Sequence, residues 1–117
     1  PIAEYGTPST NEIPDAVSKY LPYFDAVLLA NHGALSYGES LLNAYHKMES
    51  LEFYAQLLFL SLQLGGPKEL SKSQVEKLYE IRRQFGLKGK HPADLYAEGK
   101  TDLLDKLLYG EQKQEEK

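Results

Sequence analysis

The chain has few residues able to hold a metal or move a proton near neutral pH: three histidines and no cysteine, beside seventeen Asp and Glu. Any metal centre would therefore use imidazole or carboxylate donors, and thiolate zinc sites, iron–sulfur clusters, thiol nucleophiles and disulfide scaffolds are excluded together. His32 stands in Asn31-His32-Gly33, directly after the apolar run Ala26-Val27-Leu28-Leu29-Ala30. A turn at the end of a strand puts a side chain at the rim of a sheet, and an adjoining glycine lets backbone or ligand come close. That position suits an imidazole ligand. Zinc wants three or four such donors, however, and a histidine hydrogen-bonded within its own turn fits the local sequence as well.

The other two histidines are less suggestive. His46 lies on a long helical pattern, one step from its apolar stripe, with Glu49 three residues on. A two-ligand helical site is geometrically possible there, but ordinary helix patterning favours a solvated face. His91 precedes Pro92 beside Lys88 and Lys90 and reads as a surface residue. Glu52 falls within the apolar stripe, where a carboxylate must be paired or hydrogen-bonded; with no second acid near it by spacing, it reads as a structural anchor. Nine tyrosines can serve a site or an interface, and core and rim packing is their default use. No glycine-rich phosphate loop, Gly-x-Ser-x-Gly elbow or His-Glu-x-x-His sequence occurs, so no catalytic acid, base or nucleophile is assigned.

The elements that must position these residues follow from pattern. A length of 117 residues is one domain or a piece of one, and 42% hydrophobic with 26% charged residues is a globular balance. A net charge of -4 lacks the basic surplus of a nucleic-acid binder. The apolar run Ala26 to Ala30 is far short of the roughly 18 residues that cross a bilayer, and no basic-then-apolar leader opens the chain. A soluble, cytoplasmic protein with no nucleic-acid or membrane partner is expected. Pro1 in place of Met implies processing or a chain that begins partway through a longer one.

Ile2 to Tyr5 reads as a short strand closed by Gly6-Thr7-Pro8. Ser9 with Glu12 is a capping-box signature for an amphipathic helix carrying Ile13, Ala16, Val17, Tyr20 and Leu21, stopped by Pro22. Ala26 to Ala30 suits a strand buried on both faces, and Ala34 to Tyr37 can run back beside it. From about Glu39 to Leu64 the period is helical, with a stripe at Leu41, Tyr45, Met48, Glu52, Ala55, Phe59 and Leu62, ended by Gly65-Gly66-Pro67. Ser71 with Gln74, or Ser73 with Glu76, can cap a further helix that carries Val75, Leu78, Ile81 and Phe85 and ends at Gly86. Lys88 to Gly99 reads as loop, Thr101 to Tyr109 as a last helix, and residues 111–117 as a mobile charged tail after a single unit over 1–110. Three short strands are few to cover such apolar elements, so the sheet is expected to be completed by another chain or a missing N-terminal part.

Tyr5-Gly6-Thr7-Pro8 leading into a helix, then Ala26-Val27-Leu28-Leu29-Ala30-Asn31-His32-Gly33, Gly38 and a helix containing Glu52-Phe53-Tyr54-Ala55, together resemble the C-terminal half of the zinc-dependent class II aldolase family typified by L-fuculose-phosphate aldolase. The resemblance covers residues 1–64 well, is less distinctive over 65–86 and stops near residue 90. It implies an α/β (α+β) fold, part of a three-layer α/β/α architecture with a mainly antiparallel central sheet whose N-terminal half is missing here. It also implies zinc as cofactor with His32 as one of three histidine ligands, the other two lying as a His-x-His pair in the missing N-terminal half together with the glutamate that moves protons. The implied activity is cleavage of a fuculose 1-phosphate-like ketose phosphate to dihydroxyacetone phosphate and an aldehyde, with zinc as the Lewis acid and a homotetramer as the assembly. One imidazole cannot hold a catalytic zinc, so this chain alone is expected to be inactive. Pentulose-phosphate 4-epimerases of the same family and a non-catalytic, adducin-like interaction domain are the alternatives. Pro1-Ile2-Ala3 also resembles the start of small tautomerases that use an N-terminal proline as base, a likeness that ends after three residues.

Overall fold

In the computed structural model, which describes residues 1–87 and 89–109, a three-stranded sheet gathers the N-terminal part of the chain. Strand β1 (Ile2–Ala3) lies parallel to β2 (Ala26–Leu29), and β2 pairs antiparallel with β3 (Gly33–Ser36), giving the order β1-β2-β3. The described strands thus make one parallel and one antiparallel pairing. The expected return strand is present in register, with Leu29 opposite Gly33 and Ala26 opposite Ser36. Burial on both faces of β2 is not found: Val27 is 1% exposed, whereas Leu28 on the other face is 40% exposed. Among the described residues nothing covers that side fully.

Helix α1 (Glu12–Ser18) connects β1 to β2. The expected Ser9–Glu12 box does not form. Ser9 adopts φ 65, and the Glu12 carboxylate instead accepts the Thr7 N–H at 2.7 Å while Thr10 Oγ1 accepts the Glu12 N–H at 3.2 Å. The helix also ends before Pro22, because the chain passes into consecutive turns in which Tyr20 and then Tyr23 donate to the carbonyls three residues back. Tyr20 itself is buried, and its hydroxyl donates to the Ile2 carbonyl at 3.2 Å.

Helix α2 (Leu41–Gln63) starts at Ser40, whose Oγ accepts the Asn43 N–H at 3.1 Å. It ends where expected: Gly65 and Gly66 take positive φ, and the Gly66 N–H reaches the Ser61 carbonyl at 2.8 Å. Its packing differs from the expected stripe. The helix is partly covered at Ala44, Lys47, Met48 and Leu51, the side that meets β3 and β2, and no residue of it is buried. Beyond that point Phe53, Tyr54, Phe59, Leu60 and Leu62 stand exposed around the helix. A helix segment apolar around most of its circumference, as the half from Phe53 to Leu62 is, suits an enclosed position, and the described residues do not enclose it.

Helix α3 (Lys72–Gln84) has the full capping box of Ser71 with Gln74 and closes on Gly86 at φ 65. Helices α4 (Pro92–Ala97) and α5 (Thr101–Tyr109) follow. The loop expected over 88–99 is therefore replaced in part by α4. Pro92 is its first residue, needing no intrahelical donor there, and Asp94 accepts the His91 N–H at 2.7 Å as a capping acid does. The expected tail, 111–117, lies outside the described residues.

The core joins the two ends of the chain: Ala3, Val17, Tyr20 and Val27 from the sheet and α1 meet Leu95 of α4 and Leu107 of α5. The result is a mixed α/β arrangement with a small sheet. Among the described residues no helix is long and apolar enough to cross a membrane.

Candidate functional site

Parallel strands end on the same edge of a sheet, so the residues that follow β1 lie beside those that follow β2. The turn after β2 is closed by the His32 N–H donating to the Leu29 carbonyl at 3.1 Å, with Asn31 at φ 64, a left-handed conformation that asparagine adopts more readily than most residues. This carries the His32 side chain toward Tyr5 and Gly6. Tyr5 stacks on the imidazole with centroids 5.2 Å apart and 23° between planes, and His32 Nε2 lies 2.8 Å from the Gly6 carbonyl oxygen.

A carbonyl can only accept, so Nε2 carries the hydrogen and Nδ1 bears the free lone pair. The ring is held by a stack on one side and a hydrogen bond at one nitrogen, the support a ligating imidazole usually receives from a backbone carbonyl. A metal approaching His32 in this arrangement meets Nδ1; coordination through Nε2 requires the Gly6 bond to open. Gly6 is buried, and a Cβ placed on it would lie 2.7 Å from the Ile13 nitrogen, so glycine is what allows this turn to pack against α1.

A metal held at His32 would need further donors. Among the described residues no group of three His, Cys, Asp or Glu side chains could hold a metal ion. The other histidines are not brought to His32. His46 is exposed on α2, its Nδ1 3.2 Å from Glu49 Oε2, and Tyr45 donates its hydroxyl to Glu49 Oε1 at 2.8 Å. These two partners, Tyr45 first, hold the Glu49 carboxyl below its ordinary pKa. This is the solvated face the pattern favoured.

Two readings need correction. Glu52 is not on a buried face; it is exposed and accepts a hydrogen bond from Gln56 Nε2 at 2.9 Å, because the covered side of α2 is rotated away from it. His91 is half-buried rather than a surface residue, set against Tyr79 and lining a cavity. The Pro92 and Asp94 helix-start signal beside it was legible. Tyr5 and Gly6 were visible as a motif, but their contact with His32 depends on the parallel pairing of β1, which a two-residue strand does not announce.

The chain matches the model of a known family, described as class II aldolase and adducin N-terminal domain, over residues 1–59. It is 34% identical over 84 residues to the 5-deoxy-D-ribulose 1-phosphate aldolase of Bacillus thuringiensis serovar kurstaki, a match spanning 72% of this chain and 39% of that protein. The chain thus covers well under half the length of that relative. No solved structure matches it.

Proposed function

Because this chain belongs to the class II aldolase and adducin family, we propose that it is part of an aldolase that cleaves a sugar phosphate, with His32 as one ligand of a divalent metal. One observation carries the proposal: an imidazole at the sheet rim, clamped by Tyr5 and the Gly6 carbonyl, with a single nitrogen left to accept. In this reading the metal is zinc, and its remaining ligands and the group that moves protons lie outside these residues, in a cytoplasmic homotetramer. The uncovered apolar half of α2 supports such an assembly.

The name of the similar Bacillus protein directs the substrate reading to ketose 1-phosphates, fuculose 1-phosphate-like sugars included. In such a cleavage the hydroxyl on the fourth carbon loses its proton and becomes the aldehyde carbonyl as the bond to the third carbon breaks. The electron pair passes to the third carbon, is delocalised onto the adjacent carbonyl oxygen, and is finally protonated to give dihydroxyacetone phosphate.

The test uses the full protein containing these residues, incubated with 5-deoxy-D-ribulose 1-phosphate and with L-fuculose 1-phosphate, with and without chelator. The expected result is release of dihydroxyacetone phosphate that chelator abolishes and added zinc restores. Epimerisation of a pentulose phosphate without net cleavage would move the assignment to the epimerase branch. A protein that turns over no sugar phosphate when supplied with metal would overturn the reading in favour of an adducin-like interaction role.

A further inference from the structure

Outside the family match, α3, α4 and α5 line an open-sided cavity of ≈ 930 Å³, within the size range of small-molecule sites. Its walls are apolar at Val75, Tyr79 and Leu104 and cationic at Arg82 and Arg83. Neither guanidinium has a carboxylate within ion-pair distance among the described residues. Arg82 makes one hydrogen bond, from Nη2 to the Gly89 carbonyl at 3.3 Å. Lys72 and Glu76 on the same lining offset each other in sign, and one oxygen of the Asp94 carboxylate is engaged by the His91 N–H. The arginines at the end of α3 also complement its dipole, but that interaction uses none of the guanidinium donors, and among the described residues the Gly89 carbonyl engages only one Arg82 nitrogen.

His91 completes the polar side. Its Nδ1 accepts the Ala93 N–H at 3.2 Å, so in the neutral ring Nε2 carries the hydrogen and is a donor. Burial, and then the Arg82 charge, push its pKa down, which keeps the ring neutral near pH 7. Tyr79 packs edge-on against it with centroids 5.3 Å apart. A smaller cavity of ≈ 460 Å³ shares Arg82 and His91 and reaches Asp25 and Tyr37, at the open end of the β2–β3 hairpin. His32 lies at the opposite, turn end, so this is a different place in the molecule.

We propose that the cavity between α3, α4 and α5 binds a small organic anion with an apolar body, its phosphate or carboxylate on Arg82 and Arg83 and its body against Val75, Tyr79 and Leu104. Arginine forks suit such planar, multi-oxygen groups, and the apolar walls distinguish this ligand from a free inorganic ion. The proposal is independent of the aldolase reading.

The test is an NMR titration of the full chain with phenyl phosphate, with phenol and inorganic phosphate as half-ligands. Saturable shifts of the His91 and Tyr79 ring signals are expected, with both half-ligands binding about tenfold more weakly or worse. Arg83→Gln, at an exposed position, should weaken phenyl phosphate about fivefold or more while leaving the spectrum elsewhere unchanged. Equal binding of phenol, an unchanged affinity in Arg83→Gln, shifts centred on Tyr5 and His32, or no saturation would each overturn it.

Discussion

Replacing His32 by alanine in the full protein is expected to lower kcat/KM for ketose-phosphate cleavage by about 10³-fold, the scale of losing a group that stabilises transition-state charge. Bound metal, measured by elemental analysis, should fall with it. The fold should not: His32 is exposed, and the loss of its hydrogen bond to Gly6 costs about 1 kcal/mol. The contrast separates the two roles this histidine can have. A turn residue alone would show the small stability loss with metal content intact, and that combination would sink the ligand assignment.

Gly6→Ala should destabilise the chain by about 2–3 kcal/mol, measured by chemical denaturation. An added methyl would lie 2.7 Å from the Ile13 nitrogen, 2.8 Å from Ile13 Cγ1 and 2.9 Å from the Glu12 carbonyl carbon. Two of these are backbone atoms of α1, so relief requires the helix or the turn to move. Either movement displaces the carbonyl that holds His32, and the variant should therefore also loosen the imidazole. A stability change under about 0.5 kcal/mol would show that the turn yields easily and that the clamp on His32 is not fixed by packing.

Much of this arrangement was legible in sequence. The hairpin, the long helix with its double-glycine end, the Ser71 cap and the final helix each rest on local rules of turn chemistry, capping and period, and each formed. What was misread depends on neighbours. The stripe through Glu52 assumed a covering surface along all of α2, but only the side at Ala44, Met48 and Leu51 meets the hairpin. Likewise β2 carries the apolar run of a doubly buried strand while Leu28 remains half open. In both cases the residues are patterned for contacts that the described residues do not make. Helix α4 differs for another reason: it is only six residues long, too short for a helical period to show, and its one local signal is a proline at the first position. At the site, His32 was singled out by type and turn, but the Gly6 clamp is a tertiary contact made across 26 residues of sequence.

That contact joins two turns into one opening unit. The Thr7 amide is held by Glu12, the Gly6 carbonyl by His32, and Gly6 itself by the start of α1. The Thr7 amide is protected while its bond to Glu12 holds, and a displacement of this loop that carries Gly6 away also frees the imidazole. Whatever binds His32 with its ring in place will therefore slow hydrogen exchange across the mouth of α1, more than twenty residues upstream in the chain, with no direct contact there.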